Sequence, residues 1–426
     1  MHRTRMTNAA KASPIAAAYY PDWVSSSIPP QSLDFSKFDV LFFAFATPDA
    51  SSNLSWDGGA TDTLKTLVHS AHSSGHGTQV VLSIGMCFPL PRGGGWGGSH
   101  WFSQAMNSSQ RSKFVGTCVN AVKTYNLDGI DIDWEYPGQQ GDNNPFSPSD
   151  SENLLAFFSS LRSELGPSKI ISAAVTDLPW TGASGAPLPD VSAYAKHMSF
   201  VNIMNYDVYQ ASPTPGPNAP LGNATGTARA PQFSAQAALT QWTKAGFPKA
   251  QLMLGLPLYG YVSQSTRTTL EDFALPPRTV RAEQKRQVLD VSIADQSAVE
   301  RLVNGDVVQE KTLKNDAART ASGDLSAQFG QAIPFKQLVT LGALKKTSKG
   351  AYEPINGYTK GWDKGSDTPF LYDTARHTVV TYDDPQSLGD KAKFAKQQGM
   401  AGCFTWSLDQ DDGYTLQDAI RSGLGK

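Results

Sequence analysis

A (β/α)8 TIM barrel, interrupted by a small α+β insertion between its seventh and eighth strands, is the α/β fold that this sequence predicts. Three observations carry that expectation. Eight apolar runs of strand length recur along the chain, amphipathic helical patterns separate several of them, and polar and aromatic residues gather at the C-terminal ends of the runs. Near-continuous apolar strands alternating with helices indicate a parallel sheet covered on both faces. Eight such units point to closure into a barrel, whose active site lies at the C-terminal strand ends. A doubly wound open sheet is the alternative.

The first run, IAAAYY (15–20), holds Tyr19 and is followed by Trp23, and the second, VLFFAFAT (40–47), has Phe45 near its end. Leu64, Leu67, Val68 and Ala71 then recur at helical spacing before the third run, QVVLSIG (79–85). The fourth, LDGIDIDWE (127–135), alternates acidic residues with Ile130, Ile132 and Trp134. A helix with Leu154, Leu155, Phe158, Leu161 and Leu165 follows, opening with Ser149 and Glu152 at capping-box spacing. The fifth run is IISAAVT (170–176); the sixth, FVNIMNYD (200–207), ends in Tyr206 and Asp207. A Pro- and Gly-rich loop beginning YQASPTPGP comes next and reads as a lid or as a surface excursion. The seventh run, LMLGLPLYG (252–260), reaches Tyr259, and the eighth, MAGCFTWSLD (400–409), holds Trp406 behind the helical segment SLGDKAKFAKQQG.

Far more than one helix separates runs seven and eight. The segment 262–360 is rich in polar residues with short apolar patches such as AIPFKQLVTLGAL, which suits a small α+β subdomain on the barrel mouth; a long loop is the alternative. The expected division is a tail over 1–13, a barrel over 14–261 and 361–426, and an insertion over 262–360.

Composition narrows the function classes. With 36 basic and 38 acidic residues the net charge is −2, so no electrostatic footprint for nucleic acid or an acidic membrane is present. No apolar run approaches the ~18 residues of a membrane span. Cys87, Cys118 and Cys403 are odd in number and widely spaced, so neither a disulfide framework nor a cysteine metal site is indicated. The basic start lacks an apolar h-region, and no export signal is expected from it. Sequons at Asn53, Asn107 and Asn223 lend weak support to secretion.

The chemistry lies in the fourth run. Side chains alternate across a strand, so Asp131, Asp133 and Glu135 form a row at steps of roughly 6.6 Å. Adjacent like charges in a poorly solvated place raise at least one carboxyl pKa, which keeps an acid protonated near neutral pH. The row is therefore a proton-handling site or a site for a hard cation. A second converging cluster is missing, so no metal and no cofactor are expected.

DGIDIDWE (128–135) resembles the DxxDxDxE signature of family 18 glycoside hydrolases, whose typical members are chitinases. MNYD (204–207) is similar to that family's strand-six motif, SIG (83–85) to its strand-three motif and YYPDW to its strand-one entry. GLPLYG, FTWSLDQDD and GWDKGSDTPFLYD resemble its strand-seven, strand-eight and insertion-return segments. The resemblance covers nearly the whole barrel and fades between about 262 and 330.

The resemblance implies a substrate-assisted retaining mechanism, in which the 2-acetamido oxygen of the substrate attacks the anomeric carbon and Glu135 is the general acid. Asp133 would hold the acetamido N–H, Asp131 would share a proton and charge behind it, and Tyr206 would donate to the acetamido oxygen. Asp207 would bind sugar hydroxyls and Trp406 would floor the −1 sugar. Met204, Tyr19, Phe45, Tyr259, Trp134 and Trp96 are further candidate substrate contacts. Two departures stand out: Gly85-Met86-Cys87 replaces a glycine pair followed by an aromatic, and Tyr261 stands where the family often has arginine. The expectation is an extracellular, monomeric, endo-acting chitinase whose partner is chitin or chitooligosaccharides. An intracellular location, a lectin-like chitin binder and an endo-acting N-acetylglucosaminidase on N-glycans are the alternatives.

Overall fold

In a computed structural model, which describes residues 13–85, 98–141, 144–223, 226, 230–270 and 323–426, every apolar run contains a strand. The strands are β1 Ile15–Pro21, β2 Val40–Pro48, β3 Gln79–Gly85, β4 Gly129–Asp133, β5 Ile170–Val175, β6 Phe200–Ile203, β7 Leu252–Pro257 and β8 Gly402–Trp406. All neighbours pair in parallel. Their order is β1-β8-β7-β6-β5-β4-β3-β2, and the β1–β2 pairing closes the ring.

Alternation divides the apolar residues between two cores. One set, including Tyr19, Phe42, Phe200, Met253 and Phe404, fills the barrel. The other, including Ile130, Ile132, Leu64, Phe114 and Phe157, packs the strands against the helices. Each fully buried Phe or Leu contributes about 1.5–3 kcal/mol relative to an exposed one. The helices Ala60–Ser73, Arg111–Tyr125, Asp150–Leu165, Ala235–Lys244 and Pro385–Gln398 thus have their inner faces set by the same periodicity that identifies them.

Two local expectations fail. Ser149 precedes the helix Asp150–Leu165, but its side chain makes no capping bond. Asp150 anchors this end of the helix instead, since it is buried and accepts from the Ser147 and Gly138 N–H groups at 2.8 and 3.2 Å and from the Ser103 hydroxyl at 2.7 Å. A capping box does form at Asp384 and Ser387, with Pro385 in the first turn. The last five strands, β4 to β8, also end earlier than their apolar runs do. β6 stops at Ile203, where the Asn205 N–H turns back to the Ile203 carbonyl. β7 stops at Pro257, which cannot donate to a ladder, and the next N–H, of Leu258, bonds to Trp406 O at 2.9 Å.

From there the chain enters a second, antiparallel sheet. Its order is Ala332–Pro334, Tyr259–Gln264, Thr378–Thr381, Thr368–Asp373 and Thr359–Asp363. Pairing carries this sheet past position 361, where the sequence reading returns the chain to the barrel. The alternation in TPFLYD suits either sheet, and only the partner strand distinguishes them. The loop after β6 is sewn to this sheet: Asn218 Nδ2 donates to Tyr259 O at 3.1 Å, the Ser212 N–H to Ser263 Oγ at 3.1 Å, and Ser265 Oγ to Pro213 O at 2.7 Å. Among the described residues no helix is long and apolar enough to cross a membrane.

Candidate active site

The carboxylate row stands where alternation places it. Ile130 and Ile132 point outward to the helix layer, so Asp131 and Asp133 point into the barrel. The crowding is tight enough to demand glycine next door. A Cβ on Gly85 would lie 2.1 Å from the Asp133 carbonyl oxygen, and one on Gly129 2.2 Å from that of Ile170.

Asp131 is fully buried within a ring of donors from four other strands. Tyr19 Oη and Ser83 Oγ each donate to its Oδ2 at 2.8 Å, while Ser172 Oγ at 2.7 Å and Asn202 Nδ2 at 3.3 Å donate to Oδ1. Burial nevertheless raises its pKa, and the three hydroxyl donors oppose that shift. The site therefore holds a carboxyl able to take or release a proton. The Tyr19 phenol is pushed well above its usual range by burial, then by the charges of Asp131 and Asp133, so it stays a donor.

Exposure rises along the row. Asp131 is 0% exposed, Asp133 is 5% exposed, and Glu135 is half-buried. The backbone at Glu135 is braced: its N–H donates to Ser99 Oγ at 2.9 Å, and its carbonyl accepts from Asn144 Nδ2 at 3.0 Å. Facing the row, the Tyr206 phenol is pushed well above its usual range by burial first and then by Asp133, Asp207 and Glu135. Three of the expected carboxyl groups thereby act on one phenol.

Asp207 has a left-handed backbone at φ 57°. Its N–H donates to Asn218 Oδ1 at 2.9 Å, and its Oδ1 accepts from Tyr259 Oη at 2.6 Å and Tyr261 Oη at 2.7 Å. Trp406, half-buried at the end of β8, stacks on Phe45 with centroids 5.7 Å apart at 24° and meets Tyr19 edge-on at 5.4 Å. Met204 packs against the same cluster. Trp23, 46% exposed, extends this aromatic floor outward, 6.4 Å from both Phe45 and Trp406.

The row's neighbours need one correction. Trp134 is not a cleft residue. It is 2% exposed and stacks on Phe102 at 5.4 Å in the outer core, because alternation sends it opposite to Asp133 and Glu135. Tyr19, Phe45 and Tyr259 are buried at 2%, 6% and 7%, so they support the cleft from below more than they present faces to it. Trp96, Met86 and Cys87 lie outside the described residues.

Sequence reasoning missed the supporting polar residues Ser83, Ser172, Asn202, Ser99 and Asn144. A signal existed for the first three: each is a lone polar residue inside an apolar strand, which requires a buried partner. Among the described residues no group of His, Cys, Asp and Glu is arranged to hold a metal ion.

The sequence model of the family described as glycosyl hydrolases family 18 matches residues 15–411. A chitinase-like effector of Moniliophthora perniciosa is 32% identical over 96% of this chain and 87% of its own length. Chitinase A1 of Niallia circulans is 27% identical over 78% of this chain and 42% of its own length. Among solved structures, a chitinase from Rhizomucor miehei superposes with a TM-score of 0.72 at 28% identity, covering 97% of this chain and all 100% of the other. A family 18 chitinase of Cycas revoluta in complex with (GlcNAc)3 shares the fold, with a TM-score of 0.66 at 20% identity over 96% of this chain and 99% of the other.

Proposed function

The chain belongs to glycosyl hydrolase family 18, and we propose that it is an active chitinase that cleaves β-1,4 bonds between N-acetylglucosamine units with retention of configuration. One observation carries this reading: the carboxyl row is graded, from fully buried Asp131 through Asp133 to half-buried Glu135, and the charges of its outer two members act on the Tyr206 hydroxyl. Only the outermost carboxyl of such a row is within reach of a scissile bond.

Glu135 gives its proton to the glycosidic oxygen while the substrate's acetamido oxygen forms a bond to the anomeric carbon and the leaving sugar departs. Tyr206 donates to that acetamido oxygen, and Asp133 accepts from the acetamido N–H and offsets the positive charge of the oxazolinium ion. Asp131, with its four donors, lets a proton and a negative charge be shared with Asp133. The Glu135 carboxylate then takes a proton from water as the water attacks the anomeric carbon, and the bond from that carbon to the acetamido oxygen breaks, restoring the acetamide. Trp406 offers the sugar a flat face, and Asp207 binds its hydroxyls. No protein nucleophile forms a bond, in contrast to the two-carboxylate scheme.

The aromatic floor reaching out to Trp23 favours a long chain substrate and endo action over action on N-glycan cores. We place the protein outside the cell and assign it a monomeric state. A second reading, an oligosaccharide binder without turnover, is favoured by a single observation: two relatives, 32% and 33% identical, are named chitinase-like effectors. Anomer-resolved NMR of chitotetraose cleavage separates the readings. The β-anomer should form first, and fully deacetylated chitosan should stay intact because it lacks the acetamide. First-formed α-anomer, or cleaved chitosan, would sink the mechanism; binding with no product would favour the second reading.

A further inference from the structure

Asp207 is held from both main chain and side chain by a strand that does not belong to the barrel. Tyr259 and Tyr261 stand two apart on Tyr259–Gln264 and therefore on the same face. Their rings are 77° apart with centroids at 6.0 Å, and both hydroxyls converge on one oxygen, Asp207 Oδ1, at 2.6 and 2.7 Å. Two donors arriving at one oxygen from different directions fix the plane of the carboxylate. The main chain of Asp207, at φ 57°, is referenced to the same strand, because Asn218 takes its N–H and donates to Tyr259 O.

The strand is itself rigid. It is interior to the second sheet, with Tyr261 registered against Ala332 on one side and Thr381 on the other. Between the tyrosines, a Cβ on Gly260 would meet the Thr381 carbonyl oxygen at 1.8 Å, so the backbones are in contact there. Tyr261 is 8% exposed, and its ring would be packed with or without its hydroxyl. The hydroxyl is the part that packing alone does not call for.

We infer that Tyr261 is a positioning residue of this site: its hydroxyl, with that of Tyr259, sets the Asp207 carboxylate against the bound sugar, so that the second sheet completes the cleft. The inference rests on reading the cleft as a chitooligosaccharide site. At the position where the family often carries an arginine, this chain reaches the Asp207 carboxylate with a neutral donor.

The test uses the Glu135→Gln background, in which chitotetraose is bound but not consumed, and isothermal titration calorimetry. Adding Tyr261→Phe, which keeps the ring and deletes the donor, should weaken binding about tenfold, the scale of one 1.4 kcal/mol contact. Adding Tyr261→Arg, which restores a donor, should recover affinity to within about threefold of the background. With Glu135 intact, Tyr261→Phe should raise KM about tenfold and change kcat by less than about threefold, because the sugar contact is made equally in ground and transition states. Unchanged affinity in Tyr261→Phe overturns the inference. Equal losses in the Phe and Arg variants, with lowered melting temperatures, overturn it too and leave a purely structural tyrosine. If Glu135→Gln alone binds no oligosaccharide, the reading of the cleft falls first and takes this inference with it.

Discussion

Tyr19→Phe removes one oxygen from the floor of the site and nothing else. In the native protein that hydroxyl donates to Asp131 Oδ2 at 2.8 Å and accepts from Asn202 Nδ2 at 3.2 Å, inside a residue only 2% exposed. Asp131 would keep Ser83, Ser172 and Asn202, so its charge is weakened in support but not stranded. A hydrogen bond to a charged group is worth about 1.5–3 kcal/mol and one between neutral groups about 0.5–1.5. The expected loss of stability is therefore ~2 kcal/mol where Asp131 is ionised and ~1 kcal/mol where it is protonated.

The pH dependence follows from the direction of the Asp131 shift. Its folded pKa is raised by burial, so between the unfolded and folded values the native state binds more protons and stability falls as pH rises. Deleting a donor to the ionised form raises the folded value further. The Tyr19→Phe penalty must then be larger above the Asp131 titration and shrink as pH falls through it. Urea unfolding of both proteins at pH 7, and at the lowest pH where wild type stays folded, reads this directly. A penalty that is equal or larger in acid would refute the assignment of Tyr19 as a donor to an ionisable Asp131.

Glu135→Gln should lower turnover of chitotetraose by about 10² to 10⁴, the usual worth of a general acid, while calorimetry shows affinity at least as high as the wild type's. Trp406→Ala should weaken oligosaccharide binding by about 1–3 kcal/mol, through loss of a stacking face, with the far-UV spectrum unchanged; an unfolded variant would instead place Trp406 in the core. Gly85→Ala should abolish activity together with a fall in melting temperature, because its Cβ would meet the Asp133 carbonyl oxygen at 2.1 Å. Normal kinetics in that variant would mean that the β3–β4 contact is looser than the geometry states.

The sequence by itself determined the barrel, the strand that carries the acid and the face on which its carboxyls sit. Those properties are local. A period of two residues decides which side chains share a face, and the same period excludes Trp134 from the cleft. It does so although Trp134 lies directly beside Glu135 and has the ring expected of a sugar platform. Read strictly, the alternation that grouped Asp131, Asp133 and Glu135 already contained that exclusion.

Only the tertiary structure decided what surrounds the carboxyls. Tyr19 and Asn202 lie 112 and 71 positions from Asp131 in the chain; Tyr19 reaches it because the β1–β2 pairing closes the ring, and Asn202 because β6 pairs with β5 on the curved inner face beside β4. The register that accomplishes this depends on every strand in the ring, and no single segment encodes it. The same holds for Tyr261. In sequence it reads as a departure from a family pattern, and its hydroxyl gains a role only when β7 ends at Pro257 and the next strand turns into the second sheet above Asp207. Alternation along a strand is a property of neighbouring residues, whereas a hydrogen bond between strands depends on where the whole chain has folded.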